Sequence, residues 1–179
     1  MPWRDVNVVM DRLLLGNLRA ARSARTMTDR QITHVLSVCR DDVPAQSPQS
    51  GLTHMRVPVE DSDLEDLLIY FQSTCGFIHS ALTSGGTVLV HCGEGLSRSA
   101  AVIAAYLMWS RRTRNATEAL DRVRRARDQI WVNPGFQEQL VLFELCDYQP
   151  ATHPTYRNWR TQLDRRLRAA GLTRPGLGR

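Results

Sequence analysis

The segment Val88-Leu89-Val90-His91-Cys92-Gly93-Glu94-Gly95-Leu96-Ser97-Arg98-Ser99 constrains the fold more than any other part of the chain. Its apolar, Val-containing start reads as a buried strand. A glycine-containing loop follows, and then Ala101 to Trp109, apolar nearly all round, which reads as a buried helix. A strand that feeds a helix in this way belongs to a largely parallel sheet covered by helices. In such sheets ligands bind outside the carboxyl ends of the strands, which is where Cys92 falls.

The residue types in the loop have separate physical roles. Gly93 and Gly95 allow backbone conformations closed to other residues, so that successive N–H groups can converge on one point. The following helix, expected from Ser97 to about Ser110, aims its positive end at the same point. Cys92 lies in that field, which favours a thiolate. Arg98 brings a planar fork that matches two oxygens of a phosphate or sulfate. A nucleophile and an oxyanion clamp therefore share one loop.

The spacing His-Cys-x-x-Gly-x-x-Arg-Ser closely resembles the signature of the cysteine-dependent protein tyrosine phosphatase superfamily, in particular its small, atypical dual-specificity branch. Leu13-Leu14-Leu15-Gly16-Asn17 resembles that branch's opening strand and turn, and Ile32-Thr33-His34-Val35-Leu36-Ser37-Val38 its next strand. Asn133-Pro134-Gly135-Phe136 with Gln139-Leu140 resembles its late helix, so the likeness runs over residues 5–147. It implies a single-domain α/β fold of the protein-tyrosine-phosphatase type, with a central, largely parallel sheet flanked by helices. It further implies a phosphatase without metal or cofactor that hydrolyses phosphotyrosine and phosphoserine or phosphothreonine in proteins through a phosphocysteine intermediate.

In the mechanism the resemblance implies, Cys92 attacks phosphorus, while Arg98 and the backbone amides of Gly93, Glu94, Gly95, Leu96, Ser97 and Arg98 hold the oxygens. The leaving oxygen needs a proton, and the loop holds no obvious acid for it. The family carries its acid about thirty residues before the cysteine, ahead of a helix; Asp61 lies 31 residues before Cys92 in that setting. Glu60 is the adjacent competitor, and Asp63 is expected to cap the next helix. Ser99 either hydrogen-bonds the cysteine sulfur, as its counterpart does in the family, or serves its own helix backbone. His91 reads as a buried scaffold group that hydrogen-bonds the loop. Arg127 and Asn133 resemble residues of the substrate cleft, although the interval between them is one residue longer than in the family and Val132 replaces a common Pro; a solvated helix arginine is the other reading of Arg127. Leu96 should give the pocket an apolar rim without aromatic stacking. Cys39 ends the strand expected to lie beside Cys92. It is either a small buried hydrophobe or a redox partner of the kind that, in some phosphoinositide phosphatases, traps the oxidised nucleophile.

The remaining elements follow from periodicity and punctuation. Val6–Val9 and Leu13–Leu15 read as a hairpin, Asn17 as the cap of one helix through about Asp29, and Thr33–Cys39 and Thr53–Val59 as strands with a loop at 40–51 between them. Leu64, Leu67, Leu68, Phe71, Cys75, Ile78 and Leu82 form one helical stripe ended by Gly85-Gly86. Asn115 with Glu118 opens a helix through Arg127, and Gly135–Asp147 follows with Phe136, Leu140, Phe143 and Leu145 as core candidates.

At 179 residues the chain suits one domain with a full core. We divide it into a catalytic domain at 1–149 and a basic tail at 150–179, one extra helix plus a flexible end. The tail holds seven Arg and one Asp, so the formal net charge of +5 comes from it. Tyr156, Trp159, Leu163 and Leu167 recur at helical spacing, which predicts docking by an apolar stripe, with arginines left for solvent, an acidic partner or nucleic acid. Its deletion is expected to leave aryl phosphate turnover mostly unchanged. All 23 basic residues are Arg, a pattern we attribute to base composition. Four cysteines without metal-binding spacing, no signal peptide and no membrane-length apolar run point to the cytosol or nucleus. Two rival functions are a non-catalytic phosphate reader and a phosphatase of RNA 5′-triphosphate or phosphoinositide.

Overall fold

The computed structural model describes residues 5–172. Five strands form one sheet: β1 (Val6–Met10), β2 (Leu13–Gly16), β3 (His34–Ser37), β4 (Thr53–Arg56) and β5 (Val88–His91), in the order β1-β2-β5-β3-β4. β1 runs antiparallel to β2, and every other pairing is parallel. The strand before the glycine loop is thus central, with Leu15 and Leu36 both opposite Val90.

Alternation along the strands divides the core between the two faces. Leu13, Leu15, Leu36, Val88 and Val90 pack in the larger core, under α3 (Leu68–Thr83), α4 (Arg98–Trp109), α5 (Ala116–Ala126) and α6 (Pro134–Leu145). Leu14, Val35 and Leu89 face a smaller cluster with Ala21, Ile32, Val43 and Ala45. This second face is covered by two short helices, α1 (Leu18–Arg22) and α2 (Ala24–Asp29), and by the loop after β3. Asn17 caps α1 as expected, accepting from Ala20 N–H at 2.9 Å. The single helix expected through Asp29 is broken, because Ser23 leaves helical geometry and caps α2 by accepting from Thr26 N–H.

α3 starts later than its apolar stripe suggests. Leu64 belongs to a loop, and Asp63 does not cap the helix. Gln139 of α6 does so, its Oε1 accepting from the N–H groups of Leu67 and Leu68 at 2.8 Å each. Leu145 is 59% exposed and leaves the list of core residues.

The tail forms α7 (Pro154–Ala169), whose Trp159, Leu163 and Leu167 are buried in the main core. Arg160 does not face outward as the stripe suggested: it pairs with buried Asp66 at 3.0 Å and with Asp164 at 3.2 Å. The helix thus docks by the apolar stripe that its spacing predicts, and truncation at 150 removes these residues from the core. The expected flexible end falls on residues 173–179, outside the described ones. Among the described residues no helix is long and apolar enough to cross a membrane.

Candidate active site

Cys92 follows β5 directly and is 2% exposed. Its sulfur accepts hydrogen bonds from Ser99 Oγ at 3.2 Å and from Gly95 N–H at 3.3 Å. Of the two roles open to Ser99, the hydroxyl takes the one on sulfur. Gly95 has φ +73°, and a Cβ there would lie 2.5 Å from the Gly16 carbonyl oxygen. Only glycine satisfies both conditions. The contact seats the loop on the turn after β2, where Leu18 N–H also donates to Gly93 O at 2.9 Å.

Arg98 returns over this loop so closely that a Cβ on Gly93 would lie 3.3 Å from its Nη2. Its Nη1 donates to Val59 O at 3.1 Å and lies 3.9 Å from Glu60 Oε2. Its buried Nε has no acceptor among the described residues. An unmet buried donor of this kind is costly unless an anion supplies the acceptor.

Asp61 comes to the same place from the loop ahead of α3. Its Oδ1 accepts from Ser97 Oγ and from Asn133 Nδ2, both at 2.7 Å. Asn133 also caps α6 through Oδ1, which accepts from Phe136 N–H at 2.9 Å. Both donors hold one oxygen of Asp61, and Oδ2 has no donor among the described residues. Glu60 instead pairs with Arg40 at 3.4 Å, and Asp63 packs against Gly135, where a Cβ would meet Asp63 Cα at 2.6 Å.

A pocket of about 140 Å³ is lined by Asp61, Cys92, Glu94, Leu96, Ser97, Arg98 and Trp131. A hollow of about 450 Å³ between Arg40, Tyr70 and Tyr156 is larger but has no cysteine in its wall. Chemistry rather than size selects the site. Trp131, which sequence reasoning missed, is 68% exposed and stands on the rim that was expected to lack an aromatic group. Its position beside the loop depends on the backbone path between α5 and α6, for which the sequence carries no periodic signal.

Two residues expected at the cleft stand outside the wall of this pocket. Arg127 is 5% exposed and absent from the pocket wall. Its Nη2 donates to Glu94 O at 3.0 Å and its Nη1 to Asn7 Oδ1 at 3.2 Å, so it braces the loop from outside. Asn133 lies behind Asp61 and orients it without lining the pocket. Ser97, counted among the phosphate-binding residues, commits its hydroxyl to Asp61, which leaves its backbone amide for an anion.

His91 is fully buried, and burial lowers its pKa to about 4, so it is neutral near pH 7. Its Nδ1 donates to Cys92 O at 3.3 Å, and its Nε2 accepts from Ser37 Oγ at 2.6 Å. Ser37 Oγ in turn accepts from His54 Nε2 at 2.9 Å. The chain from His54 through Ser37 to His91 holds one tautomer under the loop. No motif marks His54 in the sequence, because its role exists only once β3, β4 and β5 are paired.

Cys39 lies two residues beyond Ser37, which pairs with His91 across the β3–β5 ladder. It is fully buried; burial pushes its thiol up, and the charges of Arg98 and Cys92 act on it. All four cysteines are free. Among the described residues no group of three His, Cys, Asp or Glu side chains is arranged to hold a metal ion.

Comparison with known proteins gives the same picture. The family model for the dual specificity phosphatase catalytic domain matches residues 13–146. Human dual specificity phosphatase 28 is 39% identical over 132 residues, which are 74% of this chain and 73% of the relative. The zebrafish (Danio rerio) dual specificity protein phosphatase 22-A is 34% identical over 156 residues, 86% of this chain and 73% of the relative. The crystal structure of human DUSP28 aligns with a TM-score of 0.74 at 36% identity, covering 82% of this chain and 97% of that one.

Proposed function

This chain belongs to the dual specificity phosphatase family, and from that premise we propose that it hydrolyses phosphotyrosine and phosphoserine or phosphothreonine in proteins through a phosphocysteine intermediate. The observation that carries the reading is the convergence of Cys92, Arg98 and Asp61 on one small pocket.

In the first step Cys92 Sγ attacks phosphorus in line with the leaving oxygen. The amides of residues 93–98 and the Arg98 guanidinium hold the three equatorial oxygens and the charge on them. Asp61, protonated on the oxygen that Ser97 and Asn133 do not occupy, gives its proton to the leaving alkoxide or phenoxide. In the second step Asp61 takes a proton from water, which attacks the thiophosphate. The sulfur then departs as thiolate, with Ser99 and the Gly95 amide as its hydrogen-bond donors. These residues supply nucleophile, clamp and acid, and the mechanism routes no step through a metal ion.

A thiolate nucleophile must stay reduced, which favours the cytosol or nucleus. The exposed arginines of α7, Arg157, Arg165 and Arg168, support a role for that helix in holding an acidic partner or nucleic acid.

The test is a Cys92→Ser variant. Wild-type protein incubated with a radiolabelled phosphotyrosine peptide and quenched in acid is expected to carry label on Cys92. The variant should show no label and no turnover while still binding tungstate. Turnover by Cys92→Ser, or its full loss from wild type on chelator treatment, overturns the mechanism.

A further inference from the structure

Trp131 takes no part in the chemistry above, yet it leaves two-thirds of its surface in water beside the nucleophile. The backbone around it is tied down. Trp131 N–H donates to Leu96 O at 3.0 Å, and Asn133 N–H donates to Ser97 Oγ at 3.1 Å. Its neighbours Ile130 and Val132 are 5% and 4% exposed, and Gln137 Nε2 donates to Val132 O at 2.7 Å. The segment runs along the phosphate loop with its neighbours turned inward and the indole at the mouth. A large apolar ring on an anchored backbone, with only two side-chain torsions, loses little conformational entropy when a flat partner covers it.

We infer that Trp131 is a specificity-determining residue that stacks on the phenyl ring of phosphotyrosine and makes the enzyme prefer it to phosphoserine and phosphothreonine. The inference rests on the phosphatase reading above. With the phosphoryl group on the amides of residues 93–98, the phenyl ring of phosphotyrosine spans the mouth of the pocket, between the Leu96 side and Trp131. Phosphoserine and phosphothreonine place a single carbon between the phosphate oxygen and their own backbone. They bring peptide to the rim but offer the indole no ring. An aromatic pair of this kind is worth a few-fold to tenfold in binding. Glu94 and Asp61 complete the wall and bring no further cation to it, so the discrimination falls to the apolar contact.

The experiment compares two peptides that differ only in carrying phosphotyrosine or phosphothreonine, with wild type, Trp131→Ala and Trp131→Phe. Wild type is expected to show the higher kcat/KM on phosphotyrosine. In Trp131→Ala the ratio of the two kcat/KM values should fall roughly three- to tenfold, mainly through a raised KM for the phosphotyrosine peptide. Trp131→Phe, which keeps a ring, should restore most of the ratio. Since the side chain is exposed, thermal melts should coincide for all three proteins. An active enzyme whose ratio changes by less than about twofold in Trp131→Ala overturns this inference alone; so does a phenylalanine variant as impaired as the alanine one. A wild type that hydrolyses neither peptide overturns the phosphatase reading, and this inference with it.

Discussion

The phosphate loop and the loop that carries Asp61 meet at one pocket but are built in opposite ways. The side chain of the nucleophile is positioned from within its own segment: the donors to Cys92 Sγ are three and seven residues away. Asp61 is held by Ser97 and Asn133, 36 and 72 residues away. The end of its loop is held by Gln139, and Asp66 just before that end is met by Tyr156 and Arg160, 90 and 94 residues away. A short loop with obligatory glycine conformations can be specified by its own residues. A loop with little regular structure acquires its geometry from what packs against it. The difference explains why the nucleophile could be read from a motif, whereas the acid needed a position count and a choice among neighbours.

The sharpest way to break this contrast is to replace the acid itself. Asp61→Asn is expected to lose roughly two to four decades of kcat on a peptide substrate with a poor leaving group. Glu60→Gln and Asp63→Asn should stay near wild type. If either of those is crippled while Asp61→Asn is not, the acid has been misassigned and the remote contacts serve something else.

The next effect tests the underside of the phosphate loop. His91 titrates near pH 6.5 when unfolded and at about 4 when folded. Between those values the unfolded chain binds a proton that the folded chain does not, so the stability present above pH 6.5 is lost as the pH falls towards 4. The loss should reach about 3 kcal/mol. Burial also lowers the pKa of His54, which adds in the same direction. Denaturant melts from pH 7 to pH 4 should show the slope, and His91→Asn should flatten it. A wild-type profile without that slope would mean the loop does not rest on a neutral buried imidazole.

A smaller effect probes the remote support of the acid loop. Tyr156 donates to Asp66 Oδ2 at 2.7 Å, and Asp66 Oδ1 accepts from Ile69 N–H at the start of α3. Tyr156→Phe should cost about 1 to 2 kcal/mol in a urea melt. Its effect on turnover should be slight, because Ser97 and Asn133 still hold Asp61. An unchanged melt would show that α7 lends that loop no support.

A last test, which leaves turnover of the reduced enzyme unchanged, concerns Cys39, which we propose as the resolving thiol of an oxidised nucleophile. Peroxide converts the Cys92 thiolate to a sulfenic acid; attack by the Cys39 thiol then gives a disulfide and water. After peroxide treatment long enough to carry an unprotected sulfenic acid to the irreversible sulfinic state, followed by thiol reductant, wild type should regain activity and Cys39→Ser should not. Equal recovery would leave Cys39 as a packing residue, which its complete burial would then explain.

The misreadings share a cause. The α3 stripe continued through Leu64 in sequence, but Gln139 from α6 decides where that helix begins. Arg127 resembles a cleft residue, yet it is drawn inward by a carbonyl of the phosphate loop. Trp131 and His54 had no motif around them, and each acquires a role only from a neighbouring segment. α7 and its docking were visible as a stripe, but its contacts with Asp66 were not.

By itself the sequence determined the β5–loop–α4 unit, the nucleophile with its arginine, the alternation that buries the strands, and the helices that carry apolar stripes. Each depends on interactions between residues a few positions apart, or on backbone conformations that only glycine adopts, and these are present in any short stretch of chain. The tertiary structure alone decided which oxygen of Asp61 is held, which hydroxyl links the histidines under the loop, which arginines turn inward and which aromatic stands at the pocket mouth. Those outcomes depend on contacts between residues tens of positions apart, and a hydrogen bond formed over less than 3.5 Å is specified only when both partners have been brought into place.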